Sequence, residues 1–516
     1  MLDPNSNVPK AISAKLQIGE KQVDALVSIF NGSLEVSLTS DDYFGLEFSD
    51  QNFVSGTTTD LKYICLMNIV VKQGLGPRTN FVGNRSSWSS VLTAKFLAIS
   101  DCPFIPSASS ILGVHIVNEQ ISQICHNPNT LPTIIDQQAA IGKLAAAGLI
   151  DLEDDETGWK SEVQVRLDKG NSFEAAIENG SVVGSPAHPN LSFSTTRRLI
   201  DNRYLVGIEF SEPTDFYDAL SKCTALVRLC EFSCGIEIVL ERLQLTCPVV
   251  MRIIHGEEHK YPNSVEVYFF DLGFGTRRTS MDAWRFGRLD DWRDALVAPA
   301  RNRLEFEAVV TSWFATELER SQARARLLDG YRNGSSFPHD RLIGACAAFE
   351  LLPDGSKPVQ NLPHNVKELA ESLKQMVENA DVDTDWKNRF KQQLGLVKGT
   401  RTKDIIQHRL NQIRLSDPDF LPDCELVLLH AVKLRNRLIH GSPTKLAAAE
   451  NDQFQPFFTS VLEVIFVFSE LMDCGYDLKK WRQPMLPQEN PLAVTIWEFD
   501  LQIKSLKKAL GKEQTS

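Results

Sequence analysis

No Cys-x-x-Cys pair occurs among the ten cysteines, which are scattered along the chain. Zinc ribbons and thioredoxin-like redox centres need two thiols at that spacing, so neither is expected. The closest pair, Cys230 and Cys234, falls in a helix-like segment. Without an export signal all ten are expected to be reduced thiols of the core. The start, Met1-Leu2-Asp3-Pro4-Asn5-Ser6, has no basic region followed by an apolar run, so no signal peptide is expected. Nor is there a run of about 18 uncharged apolar residues of the kind that spans a bilayer. The nearest approach, 457–472, is interrupted by Glu463 and Glu470. A soluble, cytoplasmic protein with no membrane partner is therefore expected.

Several chemical signatures are also missing. Gly273-Phe-Gly-Thr-Arg-Arg278 is too short for a dinucleotide fingerprint and reads as a turn. Ser86-Ser87-Trp88-Ser89-Ser90 lacks the flanking glycines of a nucleophile elbow and is expected to be a loop. His255-Gly-Glu-Glu-His259 lacks the H-E-x-x-H order, and Gly256 and Pro262 point to a hairpin loop. Neither a metal nor a cofactor is signalled.

What the sequence does have is an ordinary globular composition, 43% hydrophobic and 23% charged, at a length that implies two or more domains. Its net charge of −12 argues against a general nucleic-acid binder. The charge is unevenly placed, however. Residues 1–300 hold 25 basic and 37 acidic side chains, and residues 301–516 hold 29 of each. Within 387–445 there are 12 basic against 5 acidic, a net of +7.

Periodicity divides the chain. Gly32-Ser33-Leu34-Glu35-Val36-Ser37-Leu38 alternates as a half-buried strand does. So do Tyr204, Val206, Ile208 and Phe210, and again Val265, Val267 and Phe269. Clusters of Gly, Asn, Asp and Ser separate these runs, as in antiparallel sheets. One helix interrupts them, with Phe216, Leu220, Cys223 and Val227 on one face, and a weaker helical pattern covers 136–148. From about 283 the period becomes helical, with candidates at 302–328, 340–352, 364–378, 384–394, 402–414, 421–440 and 454–473. The expected class is α+β: a β-rich domain over 1–295 built of antiparallel sheets, an all-α bundle over 296–490, and a tail over 491–516 with a short helix and a frayed end.

The helix expected at 421–440 carries the candidate chemistry. Asp423 suits its first turn as a cap, Glu425 suits its positive end, and Gly441 followed by Pro443 stops it. At about 100° per residue, Val427, Ala431, Leu434 and Leu438 form one apolar stripe. Leu428, Val432 and Ile439, with Leu429 at the margin, form a second, flanked by Arg435, Asn436 and His440. A helix apolar on two sides is central in a bundle or shared with a partner. His440 lies at the carbonyl end, which favours a positive imidazole, while Arg435 and Arg437 oppose it, a setting suited to proton transfer. Arg435 supplies a cation for a phosphate, and Asn436 an amide one turn before His440. A base, a cation and an amide suffice to cleave RNA by attack of its own 2′-hydroxyl. The plainer alternative is that Arg435 pairs with an acidic neighbour and His440 ends a helix. His430 lies on a different face and is expected to be core or surface rather than catalytic.

Arg435-Asn436-Arg-Leu-Ile-His440-Gly441 resembles the R-x4-6-H motif of HEPN domains, with the polar residue that often follows the arginine. Residues 300–480 are similar to the ApeA-like HEPN branch, in which a segment like Arg341-Leu-Ile-Gly-Ala-Cys-Ala-Ala-Phe-Glu-Leu-Leu352 precedes the motif helix. The strand-rich half resembles the N-terminal domain that accompanies it. The resemblance implies a metal-independent endoribonuclease of bacterial anti-phage defence, acting by abortive infection on RNA, with tRNA one candidate substrate. It implies a homodimer or larger assembly through the HEPN domain, with Arg435, Asn436 and His440 catalytic. An acidic surface repels RNA, so contacts are expected at Lys398, Arg401, Lys403, Lys433 and Arg437, and a phage-derived trigger or inhibitor at the N-terminal domain. The alternative within the same family is a non-catalytic module for dimerisation or RNA binding.

Overall fold

Alternating burial begins at once: along β1 (Ala11–Ile18) every second residue is buried, and Ile18 pairs with Lys21 of β2 (Lys21–Phe30) across a tight turn. In the computed structural model, residues 11–30, 33–41, 53–79, 86–107, 111–125, 173–186, 191–194, 197–200, 204–240, 242–254, 257–270, 292–334, 336–358, 363–397, 400–479 and 490–511 are described. They form two compact units, one of 1–234 with 238–315 and the other of 235–237 with 316–516. The chain is α+β, with sheet in the first and helices in the second.

In the first unit β2 pairs with β3 (Ser33–Ser40), and β1 with β4 (Phe53–Thr58). The order continues through β5 (Tyr63–Thr79) to β6 (Ser86–Ser100). β6 is long enough to serve two neighbours on one edge. Its first half, Trp88 to Leu92, pairs with β3 and closes the six strands into a barrel, while Phe96 to Ser100 pairs with β14 (Glu257–Phe269). Each of the six strands pairs with a neighbour on both sides, and the interior is apolar: Leu16, Val27, Leu34, Val36, Leu38, Leu66, Leu92 and Leu97 are fully buried. The serine-rich segment 86–90, expected as a loop, is instead the start of β6. A buried serine fits the strand at position 90 because its hydroxyl donates to the Gln73 carbonyl (2.7 Å).

From β14 the antiparallel sheet extends through β13 (Arg242–Ile254), β7 (Ile111–Val117), β12 (Tyr204–Thr214) and β9 (Gly180–Pro186) to β8 (Phe173–Ile177). Ile254 pairs with Glu257 in the hairpin of β13 and β14, but Glu257, Glu258, His259 and Pro262, expected in its loop, belong to strand β14, because β13 continues to pair with it there. A separate hairpin joins β10 (Leu191–Ser194) and β11 (Arg197–Ile200). The unit also holds α1 (Glu119–Cys125), α2 (Phe216–Cys234) and α3 (Arg303–Ala315). α3 protects the open edge of the sheet. The Glu174 backbone N–H donates to Glu307 Oε1 (3.0 Å), and Phe173 meets Phe306 edge-to-face with centroids 4.8 Å apart. The compact units thus divide at 315/316 rather than 295/296, because the first helix after the strands packs on β8. The segments 136–148 and 273–278, and His255, lie outside the described residues.

The second unit comprises α4 (Glu317–Leu328), α5 (His339–Glu350), α6 (His364–Asn379), α7 (Thr384–Val397), α8 (Thr402–Ser416), α9 (Cys424–His440), α10 (Ala448–Asp473) and α11 (Pro491–Ala509). The helix expected over 302–328 is broken at Thr316, whose hydroxyl accepts a bond from Arg324 Nη2 (2.8 Å). α10 is the axis of the bundle and packs against α5, α8, α9 and α11. It is long and apolar enough to cross a membrane by length and composition alone, but 89% of that stretch is buried inside the protein. Its two interrupting glutamates are buried with it. Glu463 takes a two-point bond from Arg341 of α5 (2.7 and 2.8 Å), and Glu470 is ringed by Arg320, Arg324 and Arg409. α11, expected as part of a tail, is a full partner of α10 through buried Leu492, Phe499, Ile503 and Leu506.

Candidate active site

α9 is prepared by the turn before it. Leu421 and Asp423 both adopt positive φ (48° and 61°), an unusual conformation for non-glycine residues. Arg414 holds that turn, donating to the carbonyls of Phe420 (3.0 Å) and Leu421 (2.7 Å) and pairing with Glu425. The Asp423 side chain does not cap the helix as expected, because its carboxylate takes Lys507 of α11 (2.6 Å). Gly441 ends the helix at φ 70°, its N–H returning to the Arg437 carbonyl (2.8 Å).

Burial along α9 falls from start to finish. Cys424, Val427, Leu428, His430, Ala431 and Leu434 are buried, and His430 stacks on Phe458 of α10 as a core residue. Beyond Leu434 the helix leaves the core: Leu438 is half-buried, Ile439 is 43% exposed and His440 is exposed. The last turn and a half is therefore held rigidly at its root and open at its tip.

The three motif residues sit in different settings. Arg435 is half-buried. Its Nη2 lies 3.0 and 3.3 Å from the two carboxylate oxygens of Glu350, its Nη1 donates to Asn436 Oδ1 (3.1 Å), and its Nε is buried with no partner among the described residues. Glu350 Oε1 also accepts the hydroxyl of Thr402, the first residue of α8. Asn436, with its oxygen engaged by Arg435, keeps its amide N–H donors without a partner among the described residues. His440 bonds to none of the described residues and stands one turn beyond Asn436 on the same side of the helix. Five residues place it about 7.5 Å along the axis from Arg435 and about 140° around it.

The cations expected to meet RNA separate into groups. Arg401 and Lys403 are exposed at the start of α8, and Arg401 immediately precedes the Thr402 that contacts Glu350. Lys433 is half-buried on α9. Arg437 donates to Thr444 Oγ1 (3.1 Å) and so braces the segment after the helix. Lys398 lies outside the described residues. Two further cations of the basic window are structural, since Arg409 is buried against Glu470 and Asp473 and Arg414 holds the turn. Sequence reasoning missed Glu350. A usable signal was its position, the last residue of α5, where a carboxylate faces the negative end of its own helix and needs a partner elsewhere. Among the described residues no group of three or more His, Cys, Asp or Glu is placed to hold a metal ion.

No curated protein and no solved structure matches the chain. Residues 5–269 match the family model described as ApeA N-terminal domain 1. That stretch contains the barrel and the sheet that grows from it, as the resemblance implied. It is just over half of the 516 residues, and the chain belongs to the ApeA N-terminal domain 1 family.

Proposed function

We propose that this protein is a metal-independent endoribonuclease of the HEPN type that acts in anti-phage defence. The observation that carries the reading is the emergence of Arg435, Asn436 and His440 together on the open end of a helix otherwise rooted in the core. Packing and the pair with Glu350 account for the buried residues of α9 and for Arg435, but not for the Asn436 amide donors and His440 toward the tip. Family membership supports the defence setting. In the proposed reaction His440 takes the proton of a ribose 2′-hydroxyl, and the 2′-oxygen attacks the adjacent phosphorus. Arg435 stabilises the crowded phosphorane, and Asn436 orients it through its amide N–H donors. The bond to the 5′-oxygen breaks, that oxygen takes up a proton, and a 2′,3′-cyclic phosphate and a 5′-hydroxyl end remain. General acid–base help of this kind contributes about 10²–10⁴-fold.

Arg401, Lys403, Lys433 and Arg437, with Lys398, are the proposed RNA contacts, and tRNA is one candidate substrate. A second copy of the chain is the proposed partner at the tip of α9, supported by the exposure of Ile439 beside His440. The acidic N-terminal domain is proposed to sense a phage-derived trigger or to hold the nuclease off. The test is cleavage of RNA by the purified chain in chelator, compared with His440→Ala. Loss of cutting by at least about 10²-fold is expected, and equal cutting by a folded variant refutes the assignment. A second reading, a non-catalytic RNA-binding or dimerisation module, is favoured by one feature, the pairing of Arg435 with Glu350. A wild-type chain that binds RNA but cuts none with any trigger would support it.

A further inference from the structure

Arg435 presents its phosphate-binding nitrogens to a carboxylate of its own chain. Glu350 lies 85 residues earlier, at the end of α5, and both of its oxygens are within 3.3 Å of Arg435 Nη2. Oε1 is shared with the Thr402 hydroxyl at the start of the fifteen-residue α8. Two donors from two different helices thus converge on one anionic oxygen. A phosphodiester oxygen has the same character: anionic, acceptor-only and able to take two N–H or O–H donors. The remaining Arg435 nitrogens offer no easy alternative, since Nη1 is engaged by Asn436 and Nε is buried. Glu350 gains nothing from its own helix, whose carbonyl end disfavours a negative side chain. It is held where it is by Arg435 and Thr402. The pair is also within reach of solvent, with the Arg435 side chain 18% and the Glu350 side chain 37% exposed, so it is not locked in the core.

We propose that Glu350 occupies the phosphate position of the site and withholds Arg435 until an RNA phosphodiester displaces it, which makes it a positioning residue. The inference rests on the nuclease reading for the site's location, but it is a statement about binding and is tested without cleavage. The probe is a short fluorescent 2′-O-methyl oligoribonucleotide, which has no free 2′-hydroxyl to attack, titrated by anisotropy against the full chain. Glu350→Gln keeps the shape and removes the charge. It is expected to bind about two- to fivefold more tightly than wild type, the range for loss of a competing, partly exposed ion pair. Log affinity is expected to fall more steeply with log salt, by about 0.7 for the one additional phosphate contact. The gain is expected to vanish in the Arg435→Ala background, where Glu350→Gln makes no difference. Thr402→Val, which loosens the carboxylate without touching either charge, is expected to shift affinity in the same direction and stands in if Glu350→Gln fails to fold. Equal or weaker binding by Glu350→Gln, a gain that persists without Arg435, or no binding by any variant overturns the proposal. Absence of His440-dependent cutting, measured separately, defeats the nuclease reading and leaves the titration result intact.

Discussion

Replacing Glu470 by Gln is expected to remove more stability than any surface substitution in the helical unit. Glu470 is fully buried in α10. Its Oε2 accepts Arg324 Nε at 3.2 Å, and its Oε1 receives Arg409 Nη2 at 3.3 Å together with Arg320 Nη1. Arg324 and Arg409 are themselves buried. Three guanidiniums are balanced by three carboxylates, because Asp473 pairs with Arg320 and Arg409 (2.6 and 2.9 Å) and Glu317 with Arg324 (2.8 Å). The Gln variant keeps the volume but leaves one positive charge uncompensated in the core. Breaking a buried pair on one side costs about 3–5 kcal/mol, and the retained Asp473 and Glu317 place the expectation near the lower end, about 3 kcal/mol. With a urea slope of about 2 kcal/mol per molar, the unfolding midpoint of the helical unit should fall by about 1.5 M. Far-ultraviolet circular dichroism follows that transition. Glu378→Ala, which removes an exposed pair with Lys391 (3.1 Å), is the control and should change stability by no more than about 0.5 kcal/mol. A Glu470→Gln loss below about 1 kcal/mol would mean that the arginines are solvated or re-paired, and would refute the argument from burial.

Two further outcomes are expected. A methyl group at Gly184 would meet the Phe173 ring at 2.1 Å, and that ring is fully buried against Phe306. Gly184→Ala should therefore cost about 1–3 kcal/mol, while Gly355→Ala, with nothing within 4 Å of the added carbon, should be near neutral; equal effects in thermal unfolding would contradict the packing. All ten cysteines are buried and form no disulfide, and burial raises several thiols, Cys346 and Cys230 to about 12 and Cys247 to about 11. Ellman's reagent at mildly alkaline pH should react slowly with the native chain and with ten thiols after denaturation. Because the folded thiols hold their protons more tightly, their contribution is fully present below the ordinary thiol range near 8.5 and is lost as pH rises toward 11–12, so stability should decline across that window.

The helices and their faces were legible because they are local. The stripe Val427, Ala431 and Leu434 predicts the buried side of α9, and the alternation of Leu34, Val36 and Leu38 predicts the pleat of β3, whereas β12 and β14 bury neighbours as well, Gly207 beside Val206 and Ile208, and Tyr268 beside Val267. What was not legible depends on partners far away in sequence. Closure of the barrel joins Val36 to Leu92, and Ser86–Ser100 is a strand only because β3, β5 and β14 supply its hydrogen bonds. The break at Thr316 carries neither Pro nor Gly, and nothing local announces it. The charge window misled in part, since Arg409 and Arg414 count as basic but are consumed by structure. Arg435, Asn436 and His440 were marked as candidates by their spacing, whereas the contact of Arg435 with Glu350 was not legible, because it spans 85 positions.

The central position of α10 also has a consequence for how the chain is made. A helix of this length and apolarity, released alone into water, is a substrate for aggregation or for membrane insertion machinery. Its two carboxylates find their counter-charges on Arg341, Arg320, Arg324 and Arg409, and each of these precedes Ala448 in the chain. During synthesis from the N-terminus the arginines of α4, α5 and α8 have therefore left the ribosome before α10 appears. The cradle for the most hazardous segment is built ahead of it. A circular permutation that moved α10 to the front would keep every native contact and reverse that order of arrival.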